Sequence, residues 1–179
     1  MIFFWADTHF NHPGIVKYCS RPFQNVWEMN AFLVEQWNTA VGERDDIFFL
    51  GDFGFSHSAQ PPLEGIFSLL KGKKHLIIGN HDEKNPKVLK LPWQTQSQIK
   101  VVKKDGEGIV ACHYPFETWS GAHKGRLHVH GHSHGTLKRT INHRWDVGVD
   151  VEPFPISFDE IVERGRAQKF EATDHHGDL

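Results

Sequence analysis

Three short runs in the first half of the chain are apolar almost throughout: "IFFWA" from Ile2 to Ala6, "DIFFL" from Asp46 to Leu50, and "HLII" from His75 to Ile78. Such runs mark strands buried on both faces, because neither side of the pleat is left for water. Between them the period changes. Val26, Met29, Leu33, Trp37 and Val41 recur at helical spacing, and Asn25 followed by Glu28 resembles a capping box, which predicts a helix over 26–41. Pro61 and Pro62 open a second helical segment, with Leu63, Ile66, Phe67 and Leu70 on one face and Gly72 as its stop. Strand, helix, strand in that order predicts neighbouring parallel strands joined by crossovers.

The second half reads differently. "IKVV" and "GIVAC" flank the turn signal "KKDGE", "LHVH" follows, and "TLKRTI" and "RWDVGVD" flank "NHR", which predicts short strands joined by hairpins. A last helix is expected from Ser157, where Ser157 and Glu160 fit a capping box. The expected architecture is α/β: two packed sheets with helices outside, as one domain over residues 1–170, followed by a flexible tail over 171–179.

Each apolar run ends in a polar cluster. "DTH" follows the first strand, "GDFG" the second, "GNHD" the third, "HYP" follows "GIVAC", and "GHSH" follows "LHVH". If these runs are neighbouring strands, their carboxyl ends share one edge, where open α/β sheets place ligands. Asp7, His9, Asp52, Asn80, His113, His132 and His134 then converge. Seven nitrogen and oxygen donors without a thiolate suit two borderline divalent ions better than one structural zinc, and the two oxygens of Asp52 could bridge them. Gly51, Gly79 and Gly131 each precede a proposed ligand, where a backbone without Cβ can approach another segment closely.

Composition narrows the picture. Apolar residues make up 39% and charged residues 23%, with 14 Phe and 6 Trp, as in a folded protein. Twenty basic against 22 acidic residues, net −2, leave no cationic footprint for duplex nucleic acid. Two cysteines, Cys19 and Cys112, build no disulfide framework, and the amino terminus lacks the basic start of a signal peptide. A cytoplasmic protein without a membrane segment is expected.

In the order D-x-H, G-D, G-N-H-[DE], a lone His and G-H-x-H, these motifs resemble the calcineurin-like metallophosphoesterases over the span from Asp7 to His134. The segment "HFNHPGIVKYCSRPF" is similar to a small bacterial or phage branch of that family. The resemblance implies a four-layer α/β/β/α sandwich. It assigns Asp7, His9, Asp52 and His134 to a first metal, and Asp52, Asn80, His113 and His132 to a second, most readily manganese, with iron, nickel, cobalt or zinc as alternatives. One departure stands out: many members carry a charged residue three positions after the bridging Asp, and here that residue is Phe55.

The expected reaction is hydrolysis of a phosphomonoester or phosphodiester by hydroxide held between the ions. His81 is the candidate for protonating the leaving oxygen or stabilising charge, and Asp82 for fixing its tautomer or capping the turn. His12 and Arg21 are substrate candidates, Arg21 as a bidentate phosphate clamp. Phe10, Phe53, Phe55, Tyr114 and Trp119 could stack a base, with core packing as their default. His128 and His130 share one side of their strand, as half-buried strand residues or as donors to the ligands. His123, His143, His175 and His176 are expected at the surface. The candidate substrates include a nucleotide or single-stranded nucleic acid. The alternatives are a nuclease, a phosphodiesterase for a nucleotide second messenger, and a non-catalytic scaffold of the same fold.

Overall fold

A computed structural model of the chain describes residues 1–56 and 61–169; the tail over 171–179, with His175 and His176, lies outside them. In chain order the strands are β1 (Ile2–Trp5), β2 (Asp46–Phe49), β3 (Lys73–Ile77), β4 (Thr95–Ser97), β5 (Ile99–Lys104), β6 (Glu107–Cys112), β7 (Leu127–His130), β8 (Arg144–Asp146) and β9 (Ile156–Ser157). The helices are α1 (Pro13–Tyr18), α2 (Val26–Ala40), α3 (Leu63–Leu69), α4 (Asn80–Glu83), α5 (Pro86–Leu89) and α6 (Phe158–Arg166). None of the described helices is long and apolar enough to cross a membrane.

The strands form two sheets, in the orders β4-β3-β2-β1-β9 and β5-β6-β7-β8. In the first, β1 to β4 run parallel and β9 antiparallel to β1. Alternation along β1 explains its continuous apolarity. Phe3 and Trp5 pack with Met29, Leu33 and Trp37 of α2, while Phe4 packs into the layer between the sheets with Ile109, Ala111, Leu127 and Val129. Both faces are therefore dry, and the architecture is two sheets flanked by helices, as expected.

Helix α2 begins where its sequence predicts. The Asn25 side chain accepts from the backbone N–H groups of Trp27 and Glu28, but the Glu28 carboxylate turns back to the N–H of Gln24 and not to that of the cap. At α6, Ser157 accepts from Glu160 N–H.

The second sheet corrects one expectation. Its β5–β6 hairpin is present around Asp105 and Gly106, but β7 runs parallel to β6, and β8 parallel to β7. "TLKRTI" forms no strand. Turn residues such as Asn142 and His143 resemble a hairpin locally, yet the 127–130 and 144–146 runs pair side by side in the same direction, so the carboxyl end of β8 joins those of β6 and β7.

His128 and His130 lie on the outer side of β7, and both are fully buried rather than half-buried. The His128 Nδ1–H donates to Val110 O at 2.9 Å, its Nε2 accepts from Phe116 N–H at 3.2 Å, and its ring stacks on Phe116. This neutral imidazole is a core residue. His143, expected at the surface, is also buried.

Burial pushes the His128 pKa down to about 4. A histidine that stays neutral in the fold stabilises it above its unfolded pKa of about 6.5, and that contribution is lost as pH falls toward the folded value. Urea unfolding of the wild type at pH 7 and pH 4.5 is therefore expected to show a loss roughly 2–3 kcal/mol larger than that of His128→Gln.

Candidate metal centre

The carboxyl ends of β1, β2, β3, β6 and β7 lie along one edge of the sandwich, and the loops leaving them are laced together. Asp7 N–H donates to Gly51 O, His9 N–H to Asp52 O, and Gly131 N–H to His113 O. Five of the seven candidate ligands, Asp7, His9, Asp52, His132 and His134, have left-handed backbones with φ between 47° and 68°. Each such residue costs about 1–3 kcal/mol and persists only where surrounding contacts hold it. Two glycines show why side chains are excluded beside them. A Cβ on Gly79 would lie 2.4 Å from Asp52 Oδ1, and one on Gly131 2.6 Å from Asp7 Oδ2.

The structure brings all seven residues together in two groups. Ligand atoms of Asp7, His9 and His134 lie within 4.8 Å of one another, as do those of Asp52, His113 and His132. Asp52 stands between the groups. Its Oδ2 is 3.7 Å from His9 Nε2, 3.5 Å from His113 Nε2 and 3.9 Å from His81 Nε2. Asn80 Oδ1 lies 2.9 Å from His113 Nε2 and 3.0 Å from His132 Nδ1.

The protonation pattern favours cations here. His113 Nδ1–H donates to Leu50 O at 2.7 Å, and burial holds its pKa below the usual value, so the ring is neutral and Nε2 carries a lone pair. That lone pair faces Asn80 Oδ1, another acceptor, at 2.9 Å, an arrangement that a positive ion between them relieves. In the other group, Asp7 Oδ1 and both ring nitrogens of His9 are buried without a hydrogen-bond partner. Buried polar atoms are rarely left so. Burial, then the neighbouring Asp52 charge, pushes the Asp7 pKa well up, and burial with the nearby His134 pushes that of His9 well down. The residues thus fit divalent ions.

One expected role is corrected and another narrowed. The five N–H groups of Arg21 are all engaged, by both oxygens of Asp150, the carbonyls of Asp7 and Thr8, and Met29 Sδ. Buried and saturated, Arg21 has no donor left for a phosphate. It braces the site instead, since Asp150 Oδ2 accepts from His134 Nδ1 at 2.6 Å and so directs the other ring nitrogen toward Asp7 and His9. For Asp82 the turn-capping alternative holds, since its carboxylate caps the turn at Gly79 instead of orienting His81. The same carboxylate accepts from the N–H groups of Asp52, Phe53 and Gly79, tying the second and third loops together.

Sequence reasoning missed Asp150 and its neighbour Asp146, which accepts from Gly135 and Gly148. Asp146 ends β8 and Asp150 follows it, so the rule that found the other five clusters would have found "WDVGVD" had that strand been read as parallel.

At the mouth, the His81 side chain is 42% exposed. Phe55 touches the rings of His9, His12 and His81, with centroids at 6.1, 4.5 and 5.2 Å. Where the resembling family often has a charge, this chain therefore holds its histidines by ring packing. Tyr114 is exposed beside His132, at 4.8 Å between rings, whereas Phe10, Phe53 and Trp119 are buried in the core.

The chain is 32% identical to the uncharacterized protein MJ1445 of Methanocaldococcus jannaschii, with 92% of this chain and 93% of that one covered. The two belong to one family. The Gene 66 protein of Mycobacterium phage L5 is 28% identical, with 89% and 91% covered. No family model matches. Among solved structures, a protein of unknown function, AQ665 of Aquifex aeolicus, superposes with a TM-score of 0.74 at 24% identity, covering 91% of this chain and 98% of that one. YfcE, a phosphoesterase from E. coli, superposes with a TM-score of 0.50 at 14% identity, covering 82% and 77%. The fold is metallophosphoesterase-like.

Manganese added to metal-free protein is expected to raise its unfolding midpoint, by about 2.7 kcal/mol of stability at a hundredfold excess over Kd. Differential scanning calorimetry with and without chelator checks this. Because a cation needs Asp7 as its carboxylate and burial resists that ionisation, the shift should grow as pH rises. An unchanged midpoint at every pH would remove the metal assignment.

Proposed function

We propose that this chain is a dinuclear-metal-dependent phosphoesterase. One observation carries the reading: the His113 lone pair faces the Asn80 oxygen, next to the Asp52 carboxylate that also adjoins His9. With the unpartnered atoms of Asp7 and His9 beside it, this supports two adjoining cation sites, each of which would have Asp52 within reach. Asp7, His9 and His134 would hold one ion, and Asn80, His113 and His132 the other. Donors of nitrogen and oxygen without sulfur suit manganese, and also iron, nickel, cobalt or zinc. When bound, such a pair supplies positive charge that acidifies water and neutralises phosphoryl oxygens.

The chain's own residues then divide the remaining work. Asp82 and the backbone of His81 fix Asp52, through Asp52 N–H and Oδ1 respectively, so the carboxylate keeps its place as charge moves. His81, exposed at the mouth and 3.9 Å from Asp52, delivers a proton to the departing ester oxygen as water attacks phosphorus and the P–O bond breaks. A scaffold would have no use for buried, unpartnered ligand atoms, which weighs against that alternative. YfcE being a phosphoesterase, and two free thiols suited to a reducing cytoplasm, agree with this reading.

Hydrolysis of bis-p-nitrophenyl phosphate and p-nitrophenyl phosphate by manganese-loaded protein tests it. Turnover is expected to require metal and to fall to background in Asp52→Asn. His81→Ala should lose about 10²–10⁴-fold on an ester with a poor alkyl leaving group, and less on p-nitrophenyl esters, whose leaving group departs without a proton. Protein that binds metal but turns over none of these esters would refute the proposal.

A further inference from the structure

Next to the metal centre, past His134, lies a cleft of about 550 Å³, within the range of small-molecule sites. His134 and Asp150 form one wall, so the cleft shares His134 with the first ligand group. Cys19, Phe23, Phe32 and Pro153 are among its other lining residues.

The charges around it are already matched. Arg21 gives every donor to Asp150, Asp7, Thr8 and Met29. Asp150 accepts in return from Arg21 and His134. The remaining charged residue of the lining, Glu28, is an acid whose carboxylate accepts from Gln24 N–H. A second phosphate entering here would meet no cation to pair with and would face a carboxylate, which disfavours an anionic or polyphosphate extension. The apolar side favours a ring: the Phe23 and Phe32 centroids are 5.3 Å apart, and Phe32 remains more than a third exposed at the rim. A large aromatic left in water beside a concave site gains most by covering another flat surface.

We propose that this cleft binds the organic group of the substrate, and that this group is uncharged and aromatic, while the phosphoryl group occupies the metal centre. The proposal rests on the phosphoesterase reading. It makes Phe32 a determinant of specificity and places Cys19 beside the bound ring.

Cys19 supplies a readout that does not depend on turnover. Of the chain's two cysteines, Cys112 is buried in the core and Cys19 is partly accessible. Burial pushes the Cys19 thiol pKa up, so alkylation by iodoacetamide is followed at mildly alkaline pH, by mass spectrometry, in manganese-loaded protein. Phenylphosphonate and methylphosphonate are compared at concentrations giving equal inhibition of ester hydrolysis. Phenylphosphonate is expected to slow Cys19 alkylation roughly tenfold, methylphosphonate far less, and Phe32→Ala to weaken phenylphosphonate roughly tenfold more than methylphosphonate. If esters are hydrolysed but the two phosphonates protect Cys19 equally, or neither protects it, the cleft assignment is overturned alone. If no ester is hydrolysed and neither phosphonate binds, the phosphoesterase reading fails with it.

Discussion

Two carboxylates, Asp7 and Asp52, are buried within one cluster of imidazoles, and the nearest guanidinium is committed elsewhere. Nearly every unusual feature of this edge follows from keeping those charges in place. Burial and mutual repulsion raise the cost of ionising Asp7, so the arrangement is stable only if the loops cannot relax away from it, or if cations enter. Asp82 ties two loops to each other, and His132 N–H holds Asp7 Oδ2 at 2.9 Å. Gly79 and Gly131 leave room for carboxylate oxygens where any side chain would collide with them.

The strain needs a rigid support, and the sandwich provides it. Left-handed conformations at five ligands would relax on a mobile surface loop. Here all five lie in loops leaving β1, β2 and β7, strands held by packing, with Trp5 and Phe49 on one side of the first sheet, Phe4 and Phe48 on the other, and Val129 of β7 packed into the layer between the sheets. The short loops inherit that rigidity. Arg21 extends it across the molecule, because its contacts to Asp150, Asp7 and Thr8 join the segment after α1 to the loops after β1 and β8. The same residue neutralises Asp150 while Asp150 orients His134, so the wall shared by the metal centre and the neighbouring cleft is both charge-balanced and fixed in direction.

Substitution of Phe55 for the charge often found in the resembling family fits this scheme. A charged side chain at that position would act at longer range, whereas a ring acts by contact, and Phe55 touches three histidines. The mouth is accordingly apolar and aromatic around an ionic floor, and His81 is its exposed titratable group nearest Asp52.

Much of the fold and the site was legible because it is encoded over short distances. Periodicity separated α2 from β1 and β2, Asn25 and Ser157 marked helix starts, and five polar clusters following five apolar runs placed the seven ligands on one edge. These signals need only neighbouring residues and the regular geometry of helix and strand. The direction of β7 and β8, the pairing of Arg21 with Asp150, and the burial of His128 were decided by tertiary structure alone. Each depends on a partner distant along the chain, 129 positions in the case of Arg21 and Asp150, and local pattern carries no information about which distant group will arrive. Along the sequence Arg21 reads as a phosphate clamp and Asp150 gives no signal; folding removes both from water, and each then pairs with the other.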